Sequence, residues 1–223
     1  MQGKLIVIEG LDSSGKEAQS RLLLEVLRKK GYKTERFEFP NYASNSSALV
    51  KMYLSGEFGS NADDVNAYAA SSFYAVDRYA TWKKEMEAFY NGGGIVVADR
   101  YTTSNIIHQA GKLGNSAEKE KYIEWLYDFE FVKMGLPKPD AVIFLHMPVD
   151  VSIRLMENRR NKAGTEGKDI HEANYDYLKM TYANAMDMID ICGYNTVECT
   201  DGENVRSIEE IHSDIIKIVN DIL

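Results

Sequence analysis

The chain has 223 residues, 44% of them hydrophobic, with 34 acidic against 26 basic side chains and a formal net charge of -8. That length and composition suit one globular domain spanning 1-223 and exclude collagenous, mucin-like and disordered polymers. Two cysteines without CxxC or Cys/His spacing exclude a disulfide framework or a zinc module and fit a reducing, cytoplasmic compartment. No apolar run approaches the roughly 18 residues of a membrane span, and the acidic balance argues against duplex nucleic acid as a partner.

In chain order, Lys4 to Glu9 is a short apolar run that reads as a strand, followed by a Gly-rich turn and a helix from Ala18 to Lys30 closed by Gly31. Tyr32 to Phe39 reads as a second strand ended by Pro40-Asn41. Ser46 to Leu54 is a short helix, and Asp63 opens a helical pattern that runs to about Tyr90. Ile95 to Ala98 is a buried-type strand ending at Asp99-Arg100-Tyr101. Residues 116 to 134 are helical, Ala141 to Leu145 is a fourth strand, and Asp150 to Arg160 is a helix. A polar loop, Asn161 to Lys168, precedes a helix from Ile170 to Ile191. Asn195 to Cys199 is a fifth strand, and Ile208, Ile211, Ile215, Ile218, Val219 and Ile222 form the stripe of a closing helix. Strands alternating with helices predict an α/β fold, with a mainly parallel sheet of about five strands and helices on both faces.

Gly10-Leu11-Asp12-Ser13-Ser14-Gly15-Lys16-Glu17 matches the first seven positions of GxxxxGK[ST], directly after a strand and before a helix. In that context glycines let backbone N–H groups and the helix N-terminus, with Ala18 in its first turn, point at a polyphosphate, and Lys16 reaches the terminal phosphates. Glu17 stands where a hydroxyl normally serves Mg²⁺. Two readings compete: Glu17 substitutes as a hard oxygen ligand, or its charge serves the helix start. Asp99 is the other metal candidate.

At about 100° per residue, Val65, Tyr68, Ala69, Ser72, Phe73, Val76, Tyr79 and Ala80 share one stripe, expected to be core. Ala67, Ala70, Ser71, Tyr74 and Arg78 share the opposite face. A shelf of small residues beside a ring and a guanidinium suits a nucleobase with an attached phosphate; packing against a neighbouring helix, with Arg78 snorkelling, is the competing reading. Asp99-Arg100-Tyr101 lies at a strand's carboxyl end, where open α/β sheets bind ligands. Arg100 is a candidate phosphate clamp, and Asp99 orients Mg²⁺-bound water or Arg100 itself. The basic segment Asn158 to Lys162 reads as a mobile lid over about 158-170, with Arg159 and Arg160 supplying cationic charge and Arg154 facing the donor base. An exposed charge run is the alternative.

Together these marks resemble the thymidylate kinase family over nearly the whole chain. They are Glu9-Gly10-x-Asp12, Phe39-Pro40, Tyr74-Ala75-Val76-Asp77-Arg78, Asp99-Arg100-Tyr101 with Ser104 and Gln109, Lys138-Pro139-Asp140 and the basic lid. The resemblance implies a P-loop kinase that transfers the ATP γ-phosphoryl group to dTMP, giving dTDP, with Mg²⁺. It implies Tyr74 stacking on thymine beside Arg78, Asp12 near the acceptor sugar or phosphate, residues 99 to 101 around the acceptor phosphate, and Gln109 in the base pocket. Lid arginines with no basic residue between Gly10 and Gly15 resemble the bacterial lid-arginine type, and the family is commonly homodimeric. The family's arginine two residues after the Phe-Pro proline is here Tyr42, leaving Arg36, Arg78 and Arg100 to hold the acceptor. The remaining alternatives are another nucleoside monophosphate kinase, a deoxynucleoside kinase, and a non-catalytic nucleotide-binding regulator.

Overall fold

In the computed structural model, which describes residues 3–163, 175–202 and 204–223, five strands form one parallel sheet. They are β1 (Lys4–Gly10), β2 (Thr34–Glu38), β3 (Ile95–Asp99), β4 (Ala141–His146) and β5 (Asn195–Glu198), in the spatial order β2-β3-β1-β4-β5. Central β1 is buried on both faces, which is why it reads as an unbroken apolar run rather than an alternating one. On one face Ile6, Ile8, Val97, Ile143 and Leu145 pack with Leu23 and Leu27 of α1 (Lys16–Lys29) and with Ile211, Ile215 and Val219 of a C-terminal helix, α9. On the other, Leu5, Val7, Val96 and Ala98 meet Phe39, Trp82, Met86, Tyr90 and Tyr101. The expected α/β architecture with two covered faces is the observed one.

The remaining helices are α2 (Ala48–Leu54), α3 (Ala67–Thr81), α4 (Glu87–Asn91), α5 (Thr102–Gln109), α6 (Ser116–Tyr127), α7 (Val149–Ala163), α8 (Tyr175–Cys192) and α9 (Ile208–Asn220). Helix α3 starts at Ala67, not at Asp63, because the Asn66 side chain caps the Ala69 N–H at 2.9 Å, while Ala62–Asp64 forms a separate 3-10 turn. A π-helical turn, Trp82–Met86, joins α3 to α4, and another, Asp128–Lys133, ends α6. Helix α5 has no counterpart in the sequence reading. Its β-branched and polar run Thr102-Thr103-Ser104-Asn105 lacks helix propensity, and burial between α3 and α8 decides it.

The expected core stripe holds at Val65 and at Phe73, which packs against its cluster, and is reversed along most of α3. Ala67, Ala70, Ser71 and Arg78 are buried, whereas Tyr68, Val76 and Tyr79 are 40–45% exposed. Small side chains let α5 approach α3 closely, and the Ser71 hydroxyl meets the Tyr122 hydroxyl at 2.5 Å. Bulk alone pointed to the wrong face. Ile208 is likewise half-exposed at the start of α9, where the Ser207/Glu210 capping box holds the first turn. Residues 161–163 continue α7 rather than opening a loop. The rest of the expected lid, 164–170, and the first residues of the helix expected from Ile170 lie outside the described residues.

Candidate active site

The carboxyl ends of β1 and β3 carry the site. Gly10, the last residue of β1, has φ +153°, and a Cβ there would lie 2.6 Å from Ser14 Oγ and 2.9 Å from the Leu145 carbonyl. Ser13 and Gly15 also take positive φ, so the chain between β1 and α1 wraps tightly. Gly15 caps α1 without a side-chain acceptor, which leaves the first-turn amides to an incoming anion. The buried Ser14 hydroxyl has no hydrogen-bond partner among the described residues. Lys16 folds back to donate to the Leu11 carbonyl at 2.6 Å. Burial, and then the neighbouring Arg100 guanidinium, pull its pKa down to about 8. Around this loop lies an open cleft of about 1010 Å³, lined by Asp12, Ser13, Gly15, Lys16, Glu17, Ala18, Glu38, Asp99, Arg100 and Leu155.

Arg100 sits at φ +67°, a left-handed conformation that an arginine adopts only when its surroundings enforce it. Its guanidinium is bound to the Asp12 carboxylate, lies 3.6 Å from Glu9 Oε1, and donates to Ser104 Oγ at 3.4 Å; His108 Nε2 is 3.3 Å away. Burial opposes its charge, but Asp12, then Glu9 and Asp99, outweigh burial and raise its pKa above the ordinary value. Glu9 is fully buried and accepts from the Gly10 N–H (2.9 Å), Thr103 Oγ1 (2.8 Å) and Ser104 Oγ (2.7 Å). One carboxylate thus ties the loop to α5. Asp99 does not orient Arg100. It pairs with Arg36 at 2.6 Å and accepts from Ser20 Oγ at 3.3 Å.

A second cleft, of about 590 Å³, opens on the other side of Arg100. Phe39, Pro40, Tyr42, Leu54, Tyr74, Arg78, Tyr101, Ser104, Asn105, His108 and Gln109 line it, together with Asp12 and Arg100. Among the described residues the linings of the two clefts therefore share only Asp12 and Arg100. Tyr74 is held edge-on by Tyr53, ring centroids 6.5 Å apart at 90°. Among the described residues buried Gln109 Oε1 lacks a hydrogen-bond partner, as a group awaiting a polar ligand would. Asp77 accepts from the Asn41 N–H at 2.7 Å and from Ser46 Oγ at 2.6 Å, and so anchors the Phe39-Pro40 segment.

Arg78 neither snorkels nor stands ready as a clamp. Fully buried, it donates to Glu130 through Nε (2.8 Å) and Nη2 (2.6 Å). Burial opposes its charge, while Glu130 raises its pKa and holds it charged. No motif or periodicity marks Glu130, which the π-helical turn after α6 buries beneath α3. Asn105 and His108 were also missed, because α5 itself was. Tyr42, in the place of the family arginine, is 48% exposed at the cleft rim. Glu17 accepts from Arg21 Nη2 at 2.9 Å, a surface pair at the start of α1. Among the described residues no group of three or more His, Cys, Asp or Glu side chains could hold a metal ion. Arg154 is exposed on α7, and Leu155 rather than Arg154 lines the phosphate cleft. The side chains of Arg159 and Arg160 lie outside the described residues.

Comparison with known proteins agrees with this geometry. A family model described as thymidylate kinase matches residues 8–215. The chain is 29% identical to a thymidylate kinase of Mycobacterium tuberculosis over 80% of this chain and 82% of that protein. It is 28% identical to one of Plasmodium falciparum over 99% of this chain and 91% of that protein. The solved structure of a thymidylate kinase from Candida albicans superposes with a TM-score of 0.71 at 20% identity, covering 99% of this chain and 92% of that one.

Proposed function

The chain belongs to the thymidylate kinase family, and from that premise we propose that it transfers the γ-phosphoryl group of ATP to dTMP, giving dTDP and ADP. The observation that carries the reading is the pair of clefts meeting at Arg100 and Asp12. One is lined by a phosphate loop and its lysine. The other offers a tyrosine ring, an unpartnered glutamine oxygen and the same arginine.

The acceptor phosphate is largely dianionic at neutral pH, its second pKa being near 6, so no general base is needed. An acceptor phosphate oxygen bonds to the γ-phosphorus as the bond to the β–γ bridging oxygen breaks, and ADP leaves. Catalysis is then positioning plus electrostatics. Lys16 and the loop amides hold the donor phosphates; Arg100 spreads charge over the transferred group from the acceptor side. We assign Arg159 and Arg160 to the same task from the lid. Tyr74 stacks on the base, Gln109 reads its edge, and Phe39, Pro40, Tyr42, Tyr101 and Ser104 complete the wall.

The donor set fits Mg²⁺ carried mainly by phosphates and water, a mode that needs only one or two protein carboxylates. Asp99, facing the phosphate cleft, is our candidate. The ion would neutralise phosphate charge. The Glu17–Arg21 pair supports a helix-start role for Glu17 rather than a ligand role.

We also propose a homodimer, supported by the exposed Tyr68, Val76 and Tyr79 of α3. A cytoplasmic location is consistent with free Cys192 and Cys199, and no described helix is long and apolar enough to cross a membrane. ADP release measured with thymidine, dTMP, dUMP, dCMP, dGMP and dAMP tests the function. The expected result is turnover strongest with dTMP. Preference for thymidine or another monophosphate, or no release with any acceptor, would overturn it.

A further inference from the structure

Lys112, in the turn after α5, lies outside the lining of both clefts, yet its ammonium joins two walls of the acceptor cleft. Nζ donates to Tyr53 Oη (3.0 Å), the Ala62 carbonyl (2.6 Å) and the Val65 carbonyl (2.9 Å). Three protons thus meet three acceptors. The same amine lies 5.3 Å from the centroid of the Tyr53 ring. Tyr53 holds Tyr74 edge-on, and its chain neighbour Leu54 lines the acceptor cleft. Gln109, three residues before Lys112, lines it too. The two carbonyls belong to the segment between α2 and α3. Lys112 therefore fastens α2 and the start of α3 to the end of α5.

We propose that Lys112 is a positioning residue for the acceptor, a charged clasp that fixes Tyr74 and the width of the cleft without touching the nucleotide. The inference rests on reading this cleft as the acceptor site. The clasp is strongest while the amine is an ammonium, because its hydrogen bonds to Tyr53 Oη and to the two carbonyls are then charge-assisted. Burial pulls the Lys112 pKa down to about 8, against the favourable charge of Asp63 in the 3-10 turn. The Tyr53 hydroxyl of α2 also faces it, at 3.0 Å. Loss of the Lys112 proton as pH rises past about 8 therefore weakens the clasp.

The test is steady-state kinetics at saturating ATP with varied dTMP, from pH 7 to 9.5, on the wild type, Lys112→Arg and Lys112→Met. In the wild type the KM for dTMP rises as pH passes about 8 while kcat stays level. Lys112→Arg, charged throughout, flattens that rise. Lys112→Met raises KM roughly tenfold already at pH 7, with kcat within about twofold, the scale expected for lost hydrogen bonds to a charged group. An unchanged KM in Lys112→Met, or the same pH-dependent rise in Lys112→Arg, overturns the inference. Should Lys112→Met fail to fold, the wild-type and Lys112→Arg profiles still decide. If another monophosphate proves the preferred acceptor, the dTMP reading fails alone and the same profiles on that acceptor judge the clasp. No turnover with any monophosphate sinks both.

Discussion

The Arg100 guanidinium is bound to the Asp12 carboxylate, across 88 residues of chain, where the linings of the two clefts meet. The pair holds a cation in a left-handed backbone position between the two clefts. In the proposed reaction an arginine there would serve the transition state, in which charge spreads over the transferred oxygens, more than either ground state. Arg100→Ala is expected to lower kcat by about a hundredfold or more, with much smaller changes in the KM for ATP. Steady-state kinetics at saturating nucleotides check this, and near-normal turnover would remove Arg100 from the mechanism.

Lys16 gives a second expectation, on the donor side. Its pKa stands near 8 because burial disfavours the ammonium. Polyphosphate favours the ammonium, so binding raises that pKa and draws in a proton. ATP affinity is therefore level below about pH 7 and falls as pH rises through 8. Isothermal titration at pH 8 in two buffers of different ionisation enthalpy reads the proton directly. Net uptake is expected for the wild type and none for Lys16→Met, which also binds ATP more weakly. Equal heats in the two buffers for the wild type would refute the linkage. Lys112 acts on the acceptor alone, so the two lysines separate by nucleotide.

Buried Glu130 receives Arg78, Thr102 Oγ1 at 2.6 Å and Asn105 Nδ2 at 3.3 Å, and so joins α3, α5 and the turn after α6. Removing one partner strands the other as an unpaired buried charge, a loss of about 3–5 kcal/mol. Glu130→Ala is expected to lose that much in urea unfolding. Glu87→Ala, which breaks the solvent-exposed pair with Lys83, leaves the midpoint nearly unchanged. A small effect at Glu130 would mean that water or another donor set replaces the carboxylate.

The parallel sheet and the phosphate loop were legible because each is a local pattern: apolar runs for doubly covered strands, glycines where φ is positive. Arg100 was legible from its place at a strand end. The pairing around it was not, since Asp99 turns to Arg36 and Arg100 to Asp12 only after the sheet brings β2, β3 and the loop together. Periodicity found the two faces of α3 but assigned them by side-chain bulk, whereas close approach of α5 selects small residues. Helix α5, with Asn105 and His108, was illegible for a related reason. Its helical state comes from burial against α3 and α8, not from its own residues.

His212 supplies a stability expectation remote from the active site. It packs between α9 and α1, where Gln19 Nε2 donates to the Ile208 carbonyl at 2.9 Å and so turns Gln19 Oε1 toward His212 Nδ1, 3.1 Å away. That network places the imidazole proton on Nδ1 and leaves buried Nε2 without a partner. Protonating Nε2 would create a cation with no acceptor, so burial lowers the pKa of His212 from 6.5. The unfolded chain then binds more protons than the native state below pH 6.5, and stability falls as the solution is acidified through that range. His212→Asn keeps an amide donor toward Gln19 but cannot titrate. Thermal midpoints at pH 7.5 and 5.0 should therefore drop further in the wild type than in His212→Asn. Equal drops would place the acid sensitivity elsewhere in the chain.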